Sequence, residues 1–412
     1  MQNILTCAMG LDIHRDVIVA CLIKGNLDVE PDPETRSFST LIPEMQKLRD
    51  WVVETGCCNI AMESTGIYWQ PIYEMLEPCF GGEINLMVVN ARHMKNVHGR
   101  KTDIRDAHWI ATLLRAGLLR GSFIPGKPFR ELRHLTRYRK SIVHDITSPK
   151  NRIDKFLQAS GFRFAAFLSD AFGASGRNIM RHLIEYGSMT REGLDKCLKT
   201  QTRNRIDEIL VALNGALSQH QRDFLRMILS HLDELEAHKR LVEDAIVAEV
   251  EQHSEALALL SSIPGIDVVS ATAIIAEIGT DMSAFPDALH ISSWAGLSPG
   301  NNESAGKRKS THINKGNPYL KSMLCEVAWV MAGKRKTYLA NWYWGVKQRK
   351  GAKRATIALA RKLLVLIYTM LKTGTPYNEE CFEERRKQCE RKRASRMVNE
   401  LEKLGYQVIS TG

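Results

Sequence analysis

The sequence contains no Cys-x-x-Cys pair; Cys57 and Cys58 are adjacent, and the rest of its nine cysteines are scattered. Zinc needs ligands at metal spacing, and none is visible. An odd cysteine count in a long chain fits a reducing compartment better than a disulfide framework. No apolar run approaches the roughly 20 residues that span a bilayer. The start, MQNILTCAMGLD, reaches an acidic residue too early for a signal peptide. These absences predict a soluble cytoplasmic protein with no membrane partner.

What is present is length and positive charge. At 412 residues the chain has room for two or three domains. Net charge is +11, and the sequence pI is about 9.2. A basic surface of that size favours a polyanionic partner, because each neutralised phosphate releases counterions.

Hydrophobic patterning divides the chain. Residues 4–11 and 17–23 read as two strands joined by a turn at His14–Asp16. Residues 41–55 carry Leu41, Met45, Leu48 and Val52 at helical spacing. A strand at 59–62, a helix at 67–76, a strand at 84–89 and helices at 91–98 and 103–116 follow. This alternation predicts an α/β domain over residues 1–125. Residues 126–257 show no strand signal. Two long striped helices, 129–157 and 225–252, predict a coiled-coil-like middle, with Pro149 kinking or ending the first. Residues 258–378 form a third, mostly helical unit, and 379–412 a charged tail.

Four carboxylates stand out by position. Asp12 closes the first strand and Glu63 the later buried one. Asp103 and Asp106 open a helix three residues apart, on nearly one face, with Thr102 as a plausible cap. Taken singly, each reads as a turn or helix-start residue. Together, in the order strand Asp, strand Glu, helix Asp-x-x-Asp, they predict convergence on one point. Packed carboxylates repel unless a cation neutralises them, and magnesium is a hard cation that prefers oxygen. Two such ions assist phosphoryl transfer from both sides of the phosphorus.

The runs GLDIHRD, MESTGIYW and GRKTDIRDAHWIATLL resemble the DEDD-type insertion-sequence transposases, relatives of the Piv DNA invertase. The resemblance resumes at SIPGIDVVSATAIIAEIG and at SSWAGLSPGNNESAGKRKSTHINKGNPYLKSML. It implies a RuvC-like N-terminal domain, a variant of the ribonuclease H fold, in which Asp12, Glu63, Asp103 and Asp106 hold magnesium. It implies that Ser304 is the nucleophile. It also implies a guide (bridge) RNA that pairs with donor and target DNA, and a tetramer in which the acids of one subunit meet the serine of another.

The residues themselves give Ser304 a more modest case. It follows the Gly-, Pro- and Asn-rich stretch AGLSPGNN, which predicts a loop, and precedes Lys307, Arg308, Lys309 and Lys315. A serine hydroxyl needs activation, and cations beside it would neutralise phosphate charge. Ser298, Ser310 and Thr311 are rival hydroxyls. The segment SIPGIDVVSATAIIAEIG is similar to a helix-hairpin-helix, but Asp267 stands where a phosphate would approach. Arg137, Arg139 and Lys140 in RYRK, and the Trp-rich stretch 333–354, mix cations with aromatics as nucleic-acid contacts do. Two rival readings remain: a RuvC-like nuclease that hydrolyses DNA with water, and a non-enzymatic nucleic-acid-binding protein.

Overall fold

Five strands form one mixed sheet in the order β3-β2-β1-β4-β5 in the computed structural model. The structure describes residues 3–29, 32–64, 66–90, 103–299, 302–304, 307–310, 313, 315–335 and 337–405. At 103–105, 201, 302–304, 307–310 and parts of 381–393 it describes the backbone alone. The helix expected at 91–98 and the Thr102 cap lie outside the described residues. Contacts divide the chain into two compact units, Met1–Ile124 and Pro125–Gly412.

In the first unit, β1 (Cys7–Ile13), β2 (Val17–Lys24) and β3 (Glu34–Ser39) run antiparallel to one another. β4 (Asn59–Glu63) and β5 (Asn85–Val89) add in parallel on the other side of β1. Strand alternation sends Met9, Leu11, Ile13, Ile60 and Met62 to one face. There they form a core with Leu48, Trp51 and Val52 of α1 (Ile42–Thr55) and Ile72 and Leu76 of α2 (Trp69–Leu76). The opposite face carries Ala8, Gly10, Asp12, Ala61 and Glu63. It is covered by α3 (Asp103–Arg115), which packs on β1, β2 and β4 through Ala107, Ile110, Ala111 and Leu114.

β3 has no counterpart in the hydrophobic pattern. Its sequence ETRSFS buries Phe38 alone, so an edge strand held by backbone hydrogen bonds leaves no apolar alternation to read. β1 also begins and ends later than its apolar run, and Asp12 is paired with Val19 inside the strand.

The second unit is helical. Its axis is a pair of long helices, α4 (Lys127–Ala159) and α6 (Gln219–Val250), whose stripes Ile142, Ile146, Ile153, Leu157 and Leu225, Ile228, Leu232, Val242, Ile246 share one core. α5 (Ala174–Tyr186) and two shorter helices close that core at one end. The expected end of the first helix at Pro149 does not occur: α4 runs through it, with the proline ring buried. Proline forfeits one backbone hydrogen bond, and continuous packing on both sides of it outweighs that loss. Ser218 and Gln221 form a reciprocal capping box that starts α6.

Beyond α6 come α7 (Val268–Ile278), α8 (Pro318–Gly333), α9 (Tyr338–Lys350) and α10 (Ala352–Thr373), with α8, α9 and α10 packed on one another. The tail carries α11 (Glu379–Lys403). Between α7 and α8 stands a small antiparallel hairpin, β6 (Asn302–Ser304) and β7 (Lys307–Ser310).

Gly10 sets the distance between α3 and the sheet. A Cβ at this residue would fall 2.2 Å from the Ala107 carbonyl oxygen and 2.5 Å from the Ala111 nitrogen, both rigid backbone atoms. A Gly10→Val substitution is expected to cost on the order of 3 kcal/mol by forcing the helix off the sheet. Chemical denaturation checks this, and an unchanged midpoint would contradict the packing described.

Candidate active site

The acidic residues gather at one end of the sheet, on the α3 face. Leu11 and Met62 are register partners in the parallel β1–β4 pair, so Asp12 and Glu63 stand one step further along adjacent strands. Both follow the alternation of Gly10 and Ala61 towards α3. Asp106 precedes Ala107, the residue whose carbonyl abuts Gly10. The glycine contact that docks α3 therefore also delivers Asp106 to the strand-end acids. The Asp103 backbone opens the same helix, and its side chain lies outside the description.

Asp12 is the most enclosed of the three, at 4% exposure. Burial raises its carboxyl pKa above the ordinary value, and the negative charges of Glu63 and Asp106 raise it further. His14 opposes this shift: its Nε2 lies 3.2 Å from Asp12 Oδ2. Glu63 and Asp106 thus lie close enough to act on the Asp12 carboxyl. Such an all-oxygen, partly buried donor set fits a hard divalent cation. Among the described residues, no three such side chains already stand as a formed metal cage.

The serine region is built differently from expectation. The Ser304 backbone ends β6 and pairs with Lys307 of β7, so it stands at a hairpin rather than in an open loop. The side chains of Ser304, Lys307, Arg308 and Lys309 lie outside the description, and Lys315 is exposed.

Arg137, Arg139 and Lys140 line a groove of about 530 Å³ in the helical unit, together with Val143, Ile246 and Val268. Their charges are matched by carboxylates of the same groove. Arg137 makes a two-pronged pair with Glu277 at 2.8 Å, Arg139 lies 2.6 Å from Glu243, and Lys140 lies 3.9 Å from Glu326. In the Trp-rich stretch, Tyr343 is buried, and the Trp344 indole N–H donates to the Ala332 carbonyl at 3.0 Å. Lys347 lies over the Trp344 ring and Lys362 over that of Trp342. In the helix-hairpin-helix-like segment, the Asp267 carboxylate accepts the Ser270 N–H at 2.8 Å and caps α7. The acid that stands in place of a phosphate thus satisfies the helix end itself.

Residues 9–161 match a DEDD transposase model of the IS110 group, described as "Transposase". Residues 257–344 match a second model, described as "Transposase IS116/IS110/IS902 family". The chain belongs to the IS110 transposase family. A transposase for insertion sequence element IS1111A from Coxiella burnetii is 24% identical over 90% of each chain. A probable family 20 transposase from Pseudomonas aeruginosa is 23% identical over 80% of this chain and 89% of its own. A pilin gene-inverting protein from Moraxella bovis is 30% identical over 30% of this chain and 39% of its own. An IS110-family transposase cuts and rejoins DNA, and the DEDD family points to divalent metal use.

Three residues of this architecture carry no motif of their own in the sequence. Gly10 is legible only as a small residue two positions before Asp12, where strand alternation sends both to one face. His14 looks like a turn residue. Glu277 sits in an apolar helix, and its partners are remote in sequence.

The raised Asp12 pKa has a signed consequence. A carboxyl with a native pKa above its unfolded value prefers to be neutral in the fold. Its ionisation therefore destabilises the metal-free protein as pH rises from the ordinary Asp value through the native one. Asp12→Asn is expected to raise the thermal midpoint of metal-free protein at neutral pH and to have little effect near pH 3. Magnesium should stabilise the native chain, by about 2.7 kcal/mol at 100 times its Kd, and should leave the variant unmoved. A variant less stable at neutral pH without metal would contradict this electrostatic account.

Proposed function

We propose that this transposase cuts and rejoins DNA through a covalent phosphoserine link at Ser304, with Asp12, Glu63, Asp103 and Asp106 holding Mg2+. The single observation carrying the cation site is the convergence of Asp12, Glu63 and Asp106 at one end of the sheet, and the serine step rests on the family resemblance. The strand order 3-2-1-4-5, three antiparallel strands followed by two parallel ones, supports a RuvC-like fold for the first domain.

In the proposed step, the Ser304 Oγ attacks phosphorus and forms a P–O bond while the bond to the leaving DNA oxygen breaks. The serine proton leaves through a nearby base, and the departing DNA strand ends as a hydroxyl. Bond energy is conserved in the phosphoserine ester, and attack by a new DNA hydroxyl restores the serine. The bound ion would supply positive charge to the phosphate and its leaving oxygen. Lys307, Arg308, Lys309 and Lys315, at and beside the hairpin, contribute further positive charge to the phosphate. His14, beside Asp12, opposes the rise in that carboxyl's pKa and so favours the ionised form a cation would need.

A guide RNA that pairs with donor and target DNA, and a four-copy assembly joining the acids of one subunit to the serine of another, complete the reading. Both rest on the family resemblance. Arg137, Arg139 and Lys140 belong to the proposed nucleic-acid surface, where phosphate would compete with Glu277, Glu243 and Glu326 for them.

Ser304→Ala is expected to abolish strand exchange, by about three orders of magnitude or more, together with any denaturation-resistant protein–DNA adduct. Folding, checked by circular dichroism, should be unchanged. Metal-dependent cutting that survives the substitution would identify water as the nucleophile and overturn the serine mechanism.

A further inference from the structure

The chain entering and the chain leaving the Ser304 hairpin meet beneath it. Pro299 and Ile313 form an antiparallel bridge across its stalk. Below that bridge, a Cβ on Gly316 would fall 2.2 Å from the Gly296 nitrogen and 2.5 Å from the Trp294 carbonyl oxygen. The Asn317 N–H donates to that same Trp294 carbonyl at 3.2 Å. The two ends of the stalk thus meet backbone to backbone, and Asn317 is the first residue beyond them.

Asn317 has two tasks. Its Oδ1 accepts the backbone N–H groups of Tyr319 and Leu320 and caps α8. Its Nδ2 donates to Glu277 Oε2 at 2.6 Å. Glu277 is 2% exposed on α7, yet it is fully engaged. Arg137 grips both its oxygens at 2.8 Å, and Arg133 Nε lies 3.2 Å from Oε2. Arg133 also donates to the carbonyls of Ala276 and Glu277. The Arg137 guanidinium stacks 4.2 Å from the centre of the ring of Tyr319, the second residue of α8. A buried carboxylate thereby ties the long helix α4, α7 and the foot of the hairpin together. A cap alone needs only Oδ1, so the Nδ2–Glu277 bond is a separate tertiary link from the helix start to α7.

We propose that Glu277 and Asn317 are positioning residues for strand exchange, fixing the orientation of the Ser304 hairpin against the basic helix α4. This inference rests on the serine reading above. Neither residue touches DNA; each acts through the stalk. A bidentate guanidinium–carboxylate pair allows little rotation, so the hairpin's foot inherits the orientation of α4. Small displacements of a reacting group cost large factors in rate, on the order of a hundred-fold for 1 Å.

The test is Asn317→Ser, because serine retains helix capping and lacks the Nδ2 donor. Single-turnover strand exchange should slow by about 10- to 100-fold, with affinity for DNA unchanged. Backbone hydrogen exchange should quicken in the segment 297–315 and nowhere else. Glu277→Gln should slow strand exchange likewise, with a lower thermal midpoint and without weakening DNA binding, since it releases Arg137 for phosphate. An unchanged rate in Asn317→Ser would overturn the proposal. So would exchange that rises across the whole helical unit, or a rate loss that merely follows DNA affinity. Ser304→Ala run alongside separates the two claims. If it stays active, the serine reading fails. If it is inactive while Asn317→Ser is normal, positioning alone fails.

Discussion

The close approach of a helix to a strand, permitted by one missing side chain, governs the acidic end of this molecule. Gly10 lets α3 lie directly on β1, its backbone nearly touching the strand. The position of Asp106 and the enclosure of Asp12 depend on it, while β1–β4 pairing sets Glu63 beside them. Asp106 reaches the site because its neighbour Ala107 is seated on the glycine. Asp12 loses solvent because the helix covers its face. The resulting concentration of negative charge is unfavourable by itself, and the pKa of Asp12 registers that cost. A fold that holds like charges together in this way is prepared for an external cation.

The helical unit solves a different electrostatic problem. Its long helix is densely basic, and an uncompensated guanidinium inside such a body would be costly. Burial brings Arg133 down to about 10 even beside Glu277. The answer is a set of acids from three other helices: Glu243 from α6, Glu277 from α7 and Glu326 from α8. The same pairing that neutralises the helix also fixes its register against its neighbours. Basic residues that look like a nucleic-acid surface therefore act as internal fasteners as well, and phosphate would have to compete with carboxylates for them.

Much of this was legible in the residues. Short apolar runs located β1, β2, β4 and β5, because strands buried on both faces need them, and the 3.6-residue stripe located α4 and α6. The acids were visible as an ordered set because each stands at or close to the end of an element, where topology gathers chain ends. β3 was not legible, since a polar edge strand draws on backbone pairing rather than side-chain burial. Pro149 did not end α4 for a related reason: local propensity predicts a kink or an end, while tertiary packing along α6 carries the helix through. The partners of Glu277 lie 40 residues downstream and 140 and 144 residues upstream, by backbone and side-chain bonds alike, and no local pattern encodes such separations. Family resemblance singled out Ser304 among neighbouring hydroxyls, where the composition of the stretch does not.

The central claim is that the strand-end acids and the start of α3 form one cation site. Titration of the full-length protein with Mn2+, followed by paramagnetic resonance, measures that site without requiring DNA or activity. The account predicts saturable binding that Mg2+ displaces, and that Asp12→Asn and Glu63→Gln each weaken strongly. Binding that is absent, or that persists at full strength in both variants, would contradict it.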